Sequence, residues 1–452
     1  MSLAKLIGPE VEELIREGSP DLAAAVADLH PADLAELLED LPREDRLVLF
    51  EALPAEQGAA VLSELKGETL RLILHQASPE KLGPELDRLP GDEVVFLLEH
   101  VSQRKREVLL AKMSPRDAAE AKRLLRYEPG TAGRLMTEKF AKVQPEWTVA
   151  ETLEHLKKID PEVETIQTIY AVDAEGHLAG AVSLRKLLPQ PPDRKIGELL
   201  DRRVPTVRSD TPQEEVAKLV SKYDVYVIPV VDEENRPVGI VTVDDVIDVL
   251  HEEQTEDVLH MGGVAAEEEG GAEDYFARSP FRNVRLRFNW LLLLFVTETL
   301  TGTVLRHFED ELAKVVALSF FIPLLIGTGG NSGSQTVTTI VRGLAVGEIR
   351  LRDFGRVFVR EAGSGLVLGL LLGVIGYGRA MLWGSGAPLA LTVGVSILVI
   401  CTWANAVGAT IPMLATLFKI DPTVMSAPLI ATLVDATGLF IYFAIARVFL
   451  GL

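Results

Sequence analysis

Residues 426–446, SAPLIATLVDATGLFIYFAIA, place the strongest constraint on this chain. The stretch is long and apolar enough to cross a bilayer as one helix, which takes roughly 20 residues. Asp435 lies near its middle. An ionisable side chain at that depth costs on the order of 2.5–3.5 kcal/mol on insertion scales unless it faces a wet cavity or a partner. Pro428, Thr432 and Asp435 follow i, i+4, i+7 spacing, so they share a helix face that is polar or frees backbone groups. A protonated Asp bonded to a neighbouring helix would meet the same constraint. Acids at membrane depth mark ion and proton routes by default, so the reading carried forward is a cation site at Asp435 on a polar path.

The two halves of the chain differ in charge. Residues 281–452 carry 13 Lys/Arg and 9 Asp/Glu, whereas residues 1–280 carry 32 and 57. An acidic soluble half joined to a near-neutral apolar half excludes a nucleic-acid binder, whose footprint is basic. The acid excess serves solubility, and it also makes a surface that repels itself until divalent cations screen it. Cys401 is the only cysteine, so no disulfide forms within the chain and the soluble part reads as cytosolic. The start, MSLAKLIGPEVEELIREG, is amphipathic and lacks the apolar core of a signal peptide, so residues 1–280 are expected to stay in the cytoplasm.

Residues 1–134 read as helix after short helix. LHPADLAELLEDLP, ALPAEQGAAVLSEL and ASPEKLGPELDRLP restate one theme, with Pro31, Pro54 and Pro79 spaced 23 and 25 residues apart. Proline fits a first helical turn, and a period in the twenties suggests a superhelical, solenoid-like all-α domain whose neighbours bury each other's apolar stripes. From residue 135 to 250 two similar α/β blocks follow, each with a valine-rich lead, a helix, two strands about a turn, and a closing helix. Asp173 matches Asp232 and Gly180 matches Gly239, each pair 59 residues apart. These blocks resemble a tandem pair of CBS domains, regulatory modules that often bind adenine nucleotides or ions. The resemblance implies a nucleotide site, for ATP or another adenine nucleotide, at Gly239, Thr242 and Asp245 of the second block; in the first, Lys186 replaces the acid.

Residues 251–280 form an acidic connector or linking helix. HEEQT lacks the second histidine of a zinc-protease motif. Asp245, Asp248, Glu252 and Glu256 fall on one helix side, where repelling carboxylates favour a helix only when cations or basic partners are supplied. A solvated face explains the same pattern; a divalent-cation sensor is the functional reading.

Residues 281–452 give five spans, near 288–306, 316–340, 362–383, 389–414 and 426–450, an all-α transmembrane domain. Arg278, Arg282, Arg285 and Arg287 precede the first, Arg342, Arg350, Arg352, Arg356 and Arg360 fill the second-to-third loop, and Lys419 lies in the fourth-to-fifth. The loop between the first two spans is largely acidic. Basic loops stay inside, so the N-terminus is expected in the cytoplasm and the C-terminus outside. In the second span, Pro323 and four glycines at 327, 329, 330 and 333 are expected to weaken the helix and free carbonyls. Asn331, Gln335, Thr338 and Arg342 share a face there, with Ser334 beside it; small-residue packing accounts for the glycines alone, and the interleaved polar groups point to a hydrated path. Asn405, Gly408 and Pro412 repeat the theme in the fourth span, and Glu298 is expected as a second buried acid.

The inferred lining offers oxygen only, since none of the eight histidines lies inside a span, so soft and borderline metals have no N/S site. Mg²⁺ is held by few carboxylates through its waters; one Asp per chain suits it best where two chains each bring Asp435 to a twofold axis. Ca²⁺ and Na⁺ fit the same lining. No Walker A or DKTGT motif is present, which argues against ATP-driven pumping. Paired membrane aspartates and HExxH are both absent, so an intramembrane protease is excluded and the chain is not expected to be an enzyme. A Na⁺- or H⁺-coupled carrier regulated by CBS domains is the alternative to a channel.

The domain order, with PLLIGTGGNSGSQ (323–335), NAVGATIP (405–412) and DPTVMSAPLIATLVDATG (421–438), resembles the MgtE family of magnesium channels along essentially the whole chain. The resemblance implies a homodimer in the cytoplasmic membrane, a pore between subunits, passive Mg²⁺ uptake, and closure when cytoplasmic Mg²⁺ binds acidic sites. It assigns Asp435 as the pore aspartate, Ala431 as a neighbouring carbonyl and Thr338 as pore-lining. Ser334 and Ala427 stand where family members carry asparagines. Asp92, Glu214, Asp224, Asp245, Asp248, Glu253, Glu256 and Asp257 match sensor acids, and Ala60 and Phe96 replace two others.

Overall fold

The computed structural model of the chain describes residues 3–159, 163–265 and 279–452. Its contacts divide it into two units: the first reaches Glu253, and the second comprises 254–265 and the residues from 279 onward, among those described. The acidic run from Ala266 onward, and Arg278, lie outside the described residues.

The first unit opens with eight short helices from Pro31–Asp40 to Pro115–Leu124, after two others at Leu3–Glu17 and Leu22–Ala25. Three begin with proline behind a capping side chain: His30 before Pro31, Ser78 before Pro79 and Ser114 before Pro115. Each cap accepts an N–H that the first turn leaves unbonded. Pro54 differs, standing one residue earlier as the N-cap of Ala55–Glu64 with no side-chain cap, but Pro31, Pro54 and Pro79 still head every second helix, so the proline period marks pairs of helices. Leu34, Leu38, Phe50, Leu62, Leu74 and Leu86, one or two per helix, are fully buried in one continuous core. This is the all-α superhelical domain expected.

Two three-stranded sheets follow, built alike. β1 (Lys142–Val143) runs parallel to β2 (Thr168–Val172), which is antiparallel to β3 (Leu178–Ser183). β4 (Val207–Arg208), β5 (Val227–Val231) and β6 (Pro237–Thr242) repeat the plan. The repeats exchange leads: Thr137, before the first, bridges to Ile240 in β6, and Asp201, before the second, bridges to Ala181 in β3. That exchange explains the matched glycines. A Cβ on Gly180 would stand 2.5 Å from the Asp201 carbonyl oxygen, and one on Gly239 2.5 Å from Met136 Sδ. The closing helices differ, four residues at Leu184–Leu187 against nineteen in the linking helix Val243–Met261.

The second unit contains five helices long and apolar enough to cross a membrane. They are Pro280–His307, Ile322–Ala345, Phe354–Leu382, Ala387–Leu417 and Ala427–Leu450, the first to fifth spans below. The first begins eight residues earlier than its apolar stretch, because Ser279 caps it through the Arg282 N–H at 3.3 Å. The second starts only at Ile322, after a 3₁₀ turn at Val316–Phe321. Third and fourth spans pack through glycine: added Cβ atoms at Gly365, Gly369 and Gly373 would lie 2.6–2.7 Å from backbone oxygen or carbon of the fourth. Such contact at backbone distance substitutes for the hydrophobic drive that lipid removes.

Candidate functional site

Asp435 lies two turns into the fifth span, half-buried, and among the described residues it has no hydrogen bond or ion pair. Ala427, Ala431 and Asp435 recur every four residues, one above another on one helix face. Against them lies Gly330 of the second span, where a Cβ would sit 3.4 Å from both Ala431 Cβ and Asp435 Oδ1. One turn away, Ser334 Oγ donates to the Ala427 carbonyl at 3.1 Å. The second span thus passes the carboxylate at Gly330, where even an added methyl would stand at van der Waals contact with it. Asn331, Gln335 and Thr338 are exposed along that span, and Thr338 Oγ1 donates back to the Ser334 carbonyl at 3.0 Å.

Four expectations change. The second span is an unbroken helix from Ile322 to Ala345, with Pro323 in its first turn, so its glycines do not free carbonyls. Gly329 and Gly333 admit neighbours instead, whereas Gly327 faces open space: a Cβ on Gly329 would meet Ile400 Cγ2 at 2.6 Å, and one on Gly408 of the fourth span the Gly333 carbonyl oxygen at 2.7 Å. Asn405 is not on an exposed lining. It is 2 % exposed and its amide oxygen accepts from Ser332 Oγ at 2.5 Å, a polar clasp between second and fourth spans. Glu298, expected buried, is exposed on the protomer. Thr432 shares the fate of Asn405, buried and bonded at 3.0 Å to its own helix at Pro428.

A second acidic region lies in the first unit. Asp92 and Glu93, from the helix Gly91–Glu99, come within electrostatic reach of Glu164 and of Asp244 and Asp245 at the head of the linking helix. Asp92 Oδ1 is buried without a hydrogen-bond partner. Burial first, then Asp245, Glu164 and Glu93, push the Asp92 carboxyl well above its ordinary range. Burial likewise raises Asp245 to about 6, opposed by the Thr242 hydroxyl and augmented by Asp244. Glu164 is raised to about 7 by burial and then by Asp245 and Asp244. Glu93 and Glu164 were not singled out from sequence, since nothing local marks them among so many acids.

The other sensor candidates are not gathered there. Asp248 pairs with Lys66 Nζ at 3.0 Å, Glu253 accepts from Gln213 Nε2 at 2.8 Å, and Glu214 accepts from Lys218 at 3.3 Å. Asp224 ends the helix Gln213–Tyr223 in a left-handed conformation. In the second unit, Glu256 lies 3.8 Å from His260 Nε2, and Asp257 sits on the same helix. The carboxylate row of the linking helix therefore has separate partners. Of the nucleotide candidates, Thr242 donates to Asp245 Oδ2 from both its Oγ1, at 2.5 Å, and its backbone N–H, at 3.3 Å, and Gly239 lies against Met136. Asp173, Glu175 and His177 bring ligand atoms within 4.8 Å of one another, but Asp173 Oδ1 already accepts two backbone N–H groups and holds that turn.

The chain thus joins a bundle of apolar helices carrying an unpaired carboxylate to a duplicated α/β module and a helical domain, the domain set of a membrane protein with regulatory domains. Family models agree along the chain. The MgtE intracellular N domain matches residues 29–130, the CBS domain 132–190 and 196–252, and the divalent cation transporter domain MgtE 322–445. The magnesium transporter MgtE of Thermus thermophilus is 45% identical over 339 residues, 75% of this chain and 74% of that protein. That of Bacillus subtilis is 31% identical over 379 residues, 84% and 83% of the two. A solved cytosolic domain of the Mg²⁺ channel MgtE in complex with ATP superposes with a TM-score of 0.51 at 40% identity, covering 54% of this chain and 99% of that one. The chain belongs to the MgtE family of magnesium transporters, and it is an integral membrane protein whose cargo is Mg²⁺.

Proposed function

We propose that the protein is a Mg²⁺ channel, working as a homodimer, with Asp435 as the ion site on its path. The observation that carries this is the half-buried Asp435 carboxylate, unpaired at mid-span and approached by Gly330. A charge so placed needs water or a cation, and Mg²⁺ keeps several waters while leaning on one or two carboxylates. Exposed Asn331, Gln335 and Thr338 supply oxygen and amide groups to that water, with Ser334, Ala427 and Ala431 beside them. Passive uptake follows the membrane potential; the soluble domains and N-terminus lie in the cytoplasm and the C-terminus outside, consistent with the basic residues flanking the spans.

Gating works through the acids of the first unit. Without Mg²⁺, Asp92, Glu93, Glu164, Asp244 and Asp245 repel one another; bound Mg²⁺ offsets that repulsion and favours the closed form, which it must bind more tightly to shift the balance. The raised carboxyls support this: burial first, and neighbouring carboxylates second, disfavour their charged forms, and a bound cation offsets both. Asp248, Glu214, Asp224, Glu253, Glu256 and Asp257, which lie apart from that cluster, add weaker attraction for the cation through their own charge. An adenine nucleotide binds the second CBS repeat near Gly239 and Thr242, as the ATP complex of the related cytosolic domain supports. Asp245 belongs to both sites, so nucleotide and Mg²⁺ influence each other there.

The test is Mg²⁺ uptake into liposomes holding the full-length protein, without Na⁺ or H⁺ gradients. Wild type conducts under those conditions and Asp435→Asn does not, although it assembles normally. Uptake by wild type only when a Na⁺ or H⁺ gradient is imposed would replace the channel by a coupled carrier, and full flux through Asp435→Asn would remove Asp435 from the path.

A further inference from the structure

The channel reading uses one carboxylate inside the spans, yet a second stands at the same depth. Two contacts fix the register of the first span against the fifth. Trp290 Nε1 donates to Ser426 Oγ at 3.2 Å near one end, and Phe308 stacks on Phe443 at 4.8 Å near the other. From the first contact, Glu298 is eight residues along its helix and Asp435 nine along the other. At about 1.5 Å per residue the two lie about 12 and 13.5 Å above the contact, on one level. The far contact gives the same register, 18 residues from Trp290 to Phe308 against 17 from Ser426 to Phe443.

Glu298 also lies toward the fifth span. Leu294, Thr301 and Leu305, at i−4, i+3 and i+7, are partly or fully buried on its helix face, and Glu298 lies within electrostatic reach of Asp435. One turn beyond it, Thr301 Oγ1 is buried with no hydrogen-bond partner. Yet Glu298 itself is exposed on the protomer, among exposed Phe295 and Leu300, and among the described residues it has no ion pair. A charge there in contact with lipid would be costly, and two carboxylates at one depth repel. A hydrated divalent cation at Asp435 answers both problems.

We infer that Glu298 is a specificity-determining residue of the transport path, a second negative charge at the level of Asp435 that favours divalent over monovalent cations. It acts through the water around the ion, so it strengthens the site without being its ligand. The inference rests on the reading of Asp435 as the ion site.

Full-length protein in liposomes tests it, with Mg²⁺ uptake measured against Mg²⁺ concentration and Na⁺ flux measured in the same vesicles. Removing one unit charge about 8–10 Å from a divalent ion, a helix-to-helix distance, weakens binding about fivefold even at the dielectric constant of water. Glu298→Gln is therefore expected to raise the half-saturating Mg²⁺ concentration by about that factor and lower the Mg²⁺-to-Na⁺ flux ratio. Glu298→Asp keeps the charge and stays near wild type. A packing role would lower thermal stability and leave the flux ratio alone. If Asp435→Asn is inactive while Glu298→Gln keeps both the wild-type half-saturation and the wild-type flux ratio, this inference is overturned and the Asp435 reading stands. If Asp435→Asn conducts fully, both fall.

Discussion

Protons and Mg²⁺ are expected to compete for the acids of the first unit, and the structure sets the pH at which they do. Asp245 is raised to about 6 and Glu164 to about 7, each chiefly by burial and then by neighbouring carboxylates. For acids raised on folding, the stabilising contribution is fully present below the ordinary carboxylate range and is lost as pH rises through the folded value. Without Mg²⁺ the first unit is therefore most stable in acid, and that stability falls from about pH 4 upward until it is lost near pH 6 for Asp245 and near pH 7 for Glu164. Mg²⁺ binds the ionised groups, so its affinity runs the other way. Treating the two groups independently, half-saturating Mg²⁺ rises about fivefold from pH 8 to pH 6.5. Binding at pH 6.5 releases about one proton per chain, and about a tenth of one at pH 8. Titration calorimetry of the full-length protein in nanodiscs, in two buffers of different ionisation heat, reads affinity and proton release together. Asp245→Asn with Glu164→Gln flattens both. An affinity independent of pH, with no proton release, would refute the electrostatic account of the gate.

Lys66 already sets a cation on the linking helix at Asp248. Lys66→Glu replaces attraction with repulsion, and the Mg²⁺ concentration needed for closure, followed by flux, is expected to rise about threefold; no shift would separate that helix face from gating. In the membrane, Gly408→Ala drives a methyl to 2.7 Å from the Gly333 carbonyl oxygen, where backbone must move. It is expected to cost about 1–3 kcal/mol by overpacking, read as a lower thermal midpoint in detergent, and an unchanged midpoint would contradict the tight packing of second and fourth spans.

What the sequence disclosed was periodic. The proline period of the helical domain, the duplicated Asp and Gly of the CBS blocks and the five apolar runs are local patterns, and each appears in the fold as an element or a repeated contact. The partner of a side chain is not periodic. Asp92 and Glu164 meet the head of the linking helix across about 150 and 80 residues of chain, and no spacing in an acid-rich sequence separates them from a solvated face. Asn405 failed in the opposite way. A mid-span amide looks like a lining group until Ser332 is found donating to it, because a helical pattern assigns a residue to a face but not to what that face meets. The same limit applied to the glycines at 327–333, whose composition fits a broken helix or a close neighbour equally well; unbroken hydrogen bonding and the approach of Ile400 and Ala431 select the neighbour. Glu298 shows what is gained when register is added to pattern. From sequence it is one acid in an apolar run, with no way to say whether it pairs or protonates. Once Trp290 is fixed to Ser426 and Phe308 to Phe443, its depth follows from helix rise alone, and it stands level with Asp435.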